Sequence, residues 1–367
     1  MGLLDYYRQF EDVDPEEARQ ELRERRAREK KLALQEVPDV DLSGTEWPDF
    51  PDSEVVNASI YTARGRVNGY PDRDAKRIRR VLAGEHRVEP EQIALGNGAA
   101  ELLQAASYAL LSESDEMLTP WPSYPLYPLM AARARATPVA VEPDPGELRA
   151  AMSERTRLLV LCNPNDPTGT YLRAEEVAAL AASLPERAHV LVDEALVHFQ
   201  DAEPPDSVLR LVDAFPRLLV VRTFSKIYGL SGLRAGYAVG SPASKALLDR
   251  IAPVLGVNAL TQAAVYQALK IGGAEVQRRR EAVIRERSRL LEALHGLPVD
   301  VTDSQANFLW MCARGMPGKG LADRLREHGV IVAPGAPLGE ADFVRATVRD
   351  EAAGGRLLEA LRRVLEA

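Results

Sequence analysis

The run Thr223-Phe224-Ser225-Lys226-Ile227-Tyr228-Gly229-Leu230-Ser231-Gly232-Leu233-Arg234 carries the densest chemistry in the chain. One lysine follows a hydrophobic stretch and sits beside a hydroxyl residue. An arginine comes a short glycine-punctuated loop later. A lysine amine shielded from water can form a Schiff base with an aldehyde. Ser225 and Arg234 can hold a phosphate on the same molecule. An aldehyde that also carries a phosphate points to pyridoxal 5′-phosphate (PLP).

Three further loops carry polar residues after apolar runs. They are Gly96-Asn97-Gly98-Ala99-Ala100-Glu101, Asn163-Pro164-Asn165-Asp166-Pro167-Thr168-Gly169 and Asp193-Glu194-Ala195. Ligands of open α/β sheets gather at the carboxyl ends of the strands, so these loops belong around one site. Asp193 ends the run Val190-Leu191-Val192, and a buried carboxylate needs a cationic partner. Gly98, Ala99 and Ala100 open a helix whose free N–H groups suit a phosphate. Taken singly, each has a plainer alternative: an exposed helix-start lysine, a strand-end cap, an ordinary glycine-rich helix start. Their order along the chain favours the chemical reading.

The elements that position these loops follow from the apolar pattern. Residues 75–82, 99–111 and 174–184 read as helices. Residues 116–119, 137–141, 158–162, 189–192, 218–221 and 235–239 read as buried strands. Fully apolar strands alternating with helices predict an α/β fold, with a mainly parallel sheet covered by helices on both faces. Helices over 244–251, 261–271 and 275–294 follow. Strands at 308–310, 330–332 and 343–348 then alternate with helices as a smaller α/β domain. Asp14, Pro15, Glu16 and Glu17 read as the cap and first turn of a charged helix over 15–35, with an extended connection near Pro38, Pro48 and Pro51. The expected divisions are 1–45 as an N-terminal helical arm and extended segment, and 46–243 as the large PLP-binding domain. Connecting helices over 244–272 and a small C-terminal domain over 273–367 complete them.

Composition narrows the class. The 367 residues are 46% hydrophobic and 27% charged, ample for a large core. A formal charge of −8 argues against nucleic acid as a partner. Cys162 and Cys312 are the only cysteines, which argues against a disulfide scaffold and for a reducing cytoplasm. No apolar run is long enough for a bilayer. The first residues lack the zones of a secretory signal. No metal site is expected.

Together the motifs resemble fold-type I PLP-dependent enzymes of the class I/II aminotransferase superfamily, and within it the histidinol-phosphate aminotransferase group. The likeness runs from about residue 47 to the C-terminus. It implies that Lys226 carries the cofactor and moves the proton at the substrate Cα, and that Asp193 pairs with the pyridine nitrogen. By the same resemblance, Tyr124 in Pro122-Ser123-Tyr124-Pro125 stacks on the ring. The phosphate cup would be Gly98, Ala99, Ala100, Thr223, Ser225 and Arg234. Tyr70 in Asn68-Gly69-Tyr70-Pro71 would reach the phosphate of the other subunit of a homodimer; a packing tyrosine before a turn proline is the alternative. Arg345 in Val344-Arg345-Ala346-Thr347 would bind the substrate α-carboxylate, as a guanidinium suits that planar anion. Asn307 would assist there, and Trp47 would line the substrate site.

The chain departs from the family pattern at three places. Asp166 stands where the family usually has an asparagine that donates to the cofactor's phenolic oxygen, and Leu196 where it commonly has a tyrosine. An ionised aspartate cannot donate. A raised Schiff-base pKa is therefore expected, compared with relatives that keep both residues; the alternative is that Asp166 caps the next turn. The stretch Ala333-Pro334-Gly335-Ala336-Pro337-Leu338-Gly339 lacks the arginine that grips a substrate phosphate in histidinol-phosphate enzymes. An amino acid with an uncharged side chain is then permitted. The expected activity is transfer of an amino group from an L-amino acid, or a related amine such as histidinol phosphate, to a 2-oxo acid. A PLP-dependent lyase or decarboxylase is the alternative on the same scaffold, and a non-catalytic PLP-binding protein a more distant one.

Overall fold

The apolar runs pair into a seven-stranded sheet. Its strands are β1 (Ile93–Gly96), β2 (Glu116–Pro120), β3 (Thr137–Val141), β4 (Thr156–Cys162), β5 (His189–Asp193), β6 (Leu218–Thr223) and β7 (Gly236–Val239). The order across the sheet is β1-β7-β6-β5-β4-β2-β3. Pairings from β6 through to β3 are parallel, whereas β7 runs antiparallel to both β6 and β1. This computed structural model describes residues 38–366 together with residues 20, 23 and 24. The chain divides after Val40, and Asp41–Ala367 is one unit by internal contact. Apart from the three described helical residues, the helix expected over 15–35 lies outside the described residues.

Side-chain alternation explains why the central strands are apolar throughout. Leu159, Leu161, Val190, Val192 and Val220 feed one core cluster, and Leu158, Val160, Leu191, Leu219 and Val221 feed another. A strand sends successive residues to opposite faces, so a sheet covered on both faces needs apolar residues at every position. In parallel register, Cys162 lies beside Asp193 and Asp193 beside Val221. The loops after β4, β5 and β6 therefore leave the sheet at one edge.

A second sheet is wholly antiparallel. It consists of β8 (Val299–Val301), β9 (Phe308–Ala313), β10 (Ala333–Pro334) and β11 (Val344–Thr347), in the order β10-β11-β9-β8. Arg345 lies between Trp310 of β9 and Ala333 of β10 in register. Helix Glu351–Glu366 buries Leu357, Leu358, Leu361 and Val364, a spacing that makes one apolar stripe. The long charged helix Gly273–Leu294 buries Arg279, Glu286 and Arg287 beside Val283, Leu290 and Leu294. No helix of the described residues is long and apolar enough to cross a membrane.

Candidate active site

One cavity of about 540 Å³ opens at the carboxyl edge of the large sheet. Lys226 enters it just beyond β6, anchored by the fully buried Phe224. Its Nζ donates a hydrogen bond to Thr45 Oγ1. Burial lowers the Lys226 pKa from its ordinary 10.5; Arg345 adds to this, while Asp166, Glu46 and Asp193 oppose it. A lowered pKa enlarges the fraction of neutral, nucleophilic amine.

Asp193 closes β5 and is 4% exposed. Its Oδ2 accepts from the Tyr127 hydroxyl at 3.0 Å, and its Oδ1 from the Ala195 amide at 3.1 Å. Burial pushes its pKa up from 3.8 to about 6, against the two hydrogen bonds and the Lys226 charge. Among the described residues, no cation forms an ion pair with it. A buried carboxylate held by two neutral donors suits a protonated ring nitrogen.

Directly after it, Glu194 is tied to the sheet. Arg222 on β6 is 1% exposed; it contacts Glu194 Oε2 at 2.7 Å and Asp206 Oδ1 at 2.7 Å. The Glu194 amide donates to the Val221 carbonyl at 2.8 Å. These bonds fix the turn in which Asp193 sits.

One end of the cavity is built from helix-start backbone, hydroxyl residues and Arg234, a set that suits a phosphate. Helix Ala99–Leu110 starts without a side-chain cap, so its first amides remain available. Gly98 has φ of +91°, and a Cβ there would lie 2.5 Å from Arg234 Nη2. Gly236 is equally constrained, as a Cβ there would lie 2.5 Å from the Ala99 nitrogen. Arg234 Nη1 donates to the Ser231 carbonyl at 2.8 Å and to Ser225 Oγ at 3.4 Å. Thr223 Oγ1 donates to Ser225 Oγ at 3.0 Å. Ala99, Ala100, Thr223, Ser225 and Arg234 all line the cavity. Tyr124 lines it too, with its ring set edge-on to Tyr127 at 5.7 Å. Free helix amides with hydroxyls and an arginine that suit a phosphate, an aromatic ring, a buried carboxylate with no ion pair among the described residues and a buried lysine thus share one cavity, and this set fits PLP.

The opposite wall comes from far along the chain. Arg345 Nη1 meets Asp166 Oδ1 at 2.5 Å, and Nη2 donates to the Ser43 carbonyl at 2.9 Å. Its Nε is buried without a partner. Asn307 is buried; its Nδ2 donates to the Thr45 carbonyl at 3.1 Å, and its Oδ1 has no partner. Trp47 lies 4.7 Å from the Arg279 guanidinium, and its neighbours Thr45 and Glu46, not Trp47 itself, reach the cavity. Tyr70 is 88% exposed and lies in a separate depression with Tyr61, Arg66 and Tyr266.

The sequence profile for "Aminotransferase class I and II" matches residues 38–361. The chain belongs to the class I and II aminotransferase family. An aromatic amino acid aminotransferase of Cutibacterium acnes is 35% identical over 328 residues, spanning 88% of this chain and 91% of that protein. A histidinol-phosphate aminotransferase of Nitrosococcus oceani is 35% identical over 333 residues, spanning 89% of each. In structure, the aminotransferase is similar to the histidinol-phosphate aminotransferase of Sinorhizobium meliloti in complex with PLP. That likeness has a TM-score of 0.79 and 26% identity, and covers 90% of this chain and 91% of that one. The present protein is a PLP-dependent aminotransferase of the α/β fold expected for fold type I.

Several residues of this aminotransferase site escaped the sequence reading. Tyr127 was hidden in a proline-interrupted segment that folds as helix Leu126–Arg133. Thr45 and Glu46 lie in a proline-rich stretch without periodicity. Leu103, Leu126, Leu129 and Leu338 line the cavity yet look like any other apolar residues in the sequence. The meeting of Asp166 with Arg345 joins positions 179 residues apart, and no local pattern marks it.

Proposed function

We propose that this aminotransferase takes L-amino acids with large uncharged side chains, aromatic ones foremost, and passes the amino group to a 2-oxo acid. The observation that carries this reading is the apolar wall of Leu103, Leu126, Leu129, Leu196 and Leu338 within the cavity that holds Lys226. Leu338 belongs to the stretch from which the sequence had removed an expected cation. The naming of relatives as aromatic amino acid aminotransferases agrees with it.

When bound, PLP supplies an aldehyde that condenses with amines and a ring that accepts electrons from the substrate Cα. The remaining work falls to the chain. Lys226 carries the cofactor and moves the proton at Cα, helped by the burial that favours its neutral amine. Asp193 holds the ring nitrogen in its protonated form, and Tyr127 with the Ala195 amide keeps its carboxylate aimed. Tyr124, which lines the cavity, would stack on the ring. Thr223, Ser225, Arg234 and the amides of Ala99 and Ala100 hold the phosphate, while Gly98 leaves room for Arg234. Asp166, on the cavity wall, would take the place of the family's asparagine at the phenolic oxygen. Arg345 receives the α-carboxylate and Asn307 braces the segment beside it, with Trp47 supporting that segment from outside.

The reading extends to a cytoplasmic homodimer in which Tyr70 reaches the partner's phosphate. Its high exposure, together with exposed Phe50, Tyr61 and Val67, supports this. The segments 46–243, 244–272 and 273–367 act as cofactor-binding domain, connector and small domain, after an N-terminal segment over 1–45. To test the substrate, the purified enzyme is given single amino acids with 2-oxoglutarate, and keto-acid formation is followed. Phenylalanine and tyrosine should exceed aspartate and histidinol phosphate in kcat/KM. A preference for either of the latter overturns the reading. Sedimentation at the mass of a monomer overturns its dimeric part.

A further inference from the structure

The three cations of the cavity are not treated alike. Arg234 bonds to Ser231 and Ser225, and Lys226 to Thr45; all of these partners are neutral. Among the described residues no carboxylate forms an ion pair with either, so no anion has to be displaced from them, although Asp166, Glu46 and Asp193 act on Lys226 from a distance. Arg345 differs, because Asp166 already lies on Nη1 at 2.5 Å. Both side chains are mostly buried, at 11% and 13% exposure, where a charge-assisted contact is little screened. The other terminal nitrogen, Nη2, donates to the Ser43 carbonyl. A carboxylate that approaches the end of the guanidinium with two parallel bonds meets a position already held by a carboxylate.

We propose that Asp166 is an internal competitor for the carboxylate-binding position, and that it sets how strongly the enzyme demands an α-carboxylate of its substrates. This rests on the assignment of Arg345 as the α-carboxylate holder. An amino acid must displace Asp166 from Nη1, or share the guanidinium with it at the cost of like-charge repulsion. An amine with a neutral group at that position, such as an amino alcohol or an amino amide, meets no such opposition. The substrate class therefore widens from amino acids toward amines whose Cα carries an uncharged polar group. Glu46, a further carboxylate on the cavity wall, adds to the bias against anions.

The test uses holoenzyme and ligands without an amine, which bind but do not react. Calorimetry gives dissociation constants for 3-phenylpropanoate against 3-phenylpropan-1-ol, and for butanoate against butan-1-ol. Wild type should favour each acid over its alcohol by less than about tenfold. In Asp166→Asn and Asp166→Ala the preference should widen by roughly ten- to a hundredfold, the worth of a charge-assisted hydrogen bond. Tightening should fall on the acids alone, since a general loosening of the site would move acid and alcohol together. Two variants are used so that one failing to fold does not void the test. An unchanged or narrowed preference in the folded variants overturns the proposal. Arg345→Gln separates the underlying assignment. If it leaves acid binding intact, the assignment falls and the proposal with it. If it abolishes the preference while the Asp166 variants change nothing, the proposal alone falls. The phenyl and butyl pairs report the aromatic preference independently.

Discussion

Asp193→Asn should make the cofactor-free protein more stable above pH 6, even though it damages the enzyme. The folded-state pKa of Asp193 lies above its ordinary value, chiefly through burial, so the ionised carboxylate is the disfavoured form. Its stability contribution is fully present below pH 4 and is lost as pH rises through about 6. A rise from 3.8 to about 6 corresponds to about 3 kcal/mol. The amide cannot ionise, and it can still accept from the Ala195 amide and pair with the Tyr127 hydroxyl, which both donates and accepts. Urea denaturation of the cofactor-free proteins should therefore show the variant ahead by up to about 3 kcal/mol at pH 8, and nearly level with wild type at pH 4. With PLP bound the order should reverse, because the variant cannot pair with the ring nitrogen. Cofactor affinity should fall roughly a hundred- to a thousandfold, as for breaking a buried ion pair. A stability difference that does not change between pH 4 and pH 8, or a cofactor-free variant weaker than wild type at pH 8, refutes the reasoning.

The other expectations address the groups around Asp193 and the phosphate. Tyr127→Phe removes a donor from the buried carboxylate, at about 1–3 kcal/mol, so PLP titration should show roughly tenfold weaker binding. Arg222→Gln leaves Glu194 buried without its cation, and should lower unfolding stability by about 3–5 kcal/mol in urea melts. Gly98→Ala combines a positive φ with a Cβ 2.5 Å from Arg234 Nη2, and should weaken PLP binding about tenfold or more by fluorescence titration. Asp166→Asn should lower the pH midpoint of the bound cofactor's visible absorbance by about one unit, since the amide can donate to the phenolic oxygen; an unmoved midpoint counts against that contact.

Much of the fold was legible because the central strands are buried on both faces. Apolar runs such as 158–162, 189–192 and 218–221 left few other readings, and the described strands only lengthen them by one or two residues. Helix Ser53–Arg66 was missed for the opposite reason. It buries only Val55, while Val56, Ile60 and Tyr61 remain exposed, so the sequence shows no apolar stripe. Strand Ile93–Gly96 is short, ends in glycine and runs antiparallel, which an alternating β–α pattern does not forecast. The strand-end loops made Lys226, Asp193, Ser225 and Arg234 readable as members of one cavity. Arg345 was readable by its type and motif, but its link to Asp166 was not. That link depends on how two sheets approach each other, which no spacing along the chain encodes.

The segment over residues 42–45 is bound to residues far along the chain, up to Thr347. Leu42 exchanges backbone bonds with Ile331 and Thr347, Gly44 and Ser43 accept from Thr347 and Arg345, and Thr45 meets both Asn307 and Lys226. During synthesis the large sheet can complete its seven strands once β7 has emerged, more than a hundred residues before Thr347 exists. The active-site wall cannot. It closes only when Ile331, Arg345 and Thr347 return to residues 42–45, a pairing of long sequence separation and therefore slow to form. Catalytic competence therefore waits on residues made well after the large sheet, and a chain that stops short of Thr347 can hold a folded sheet without a working site.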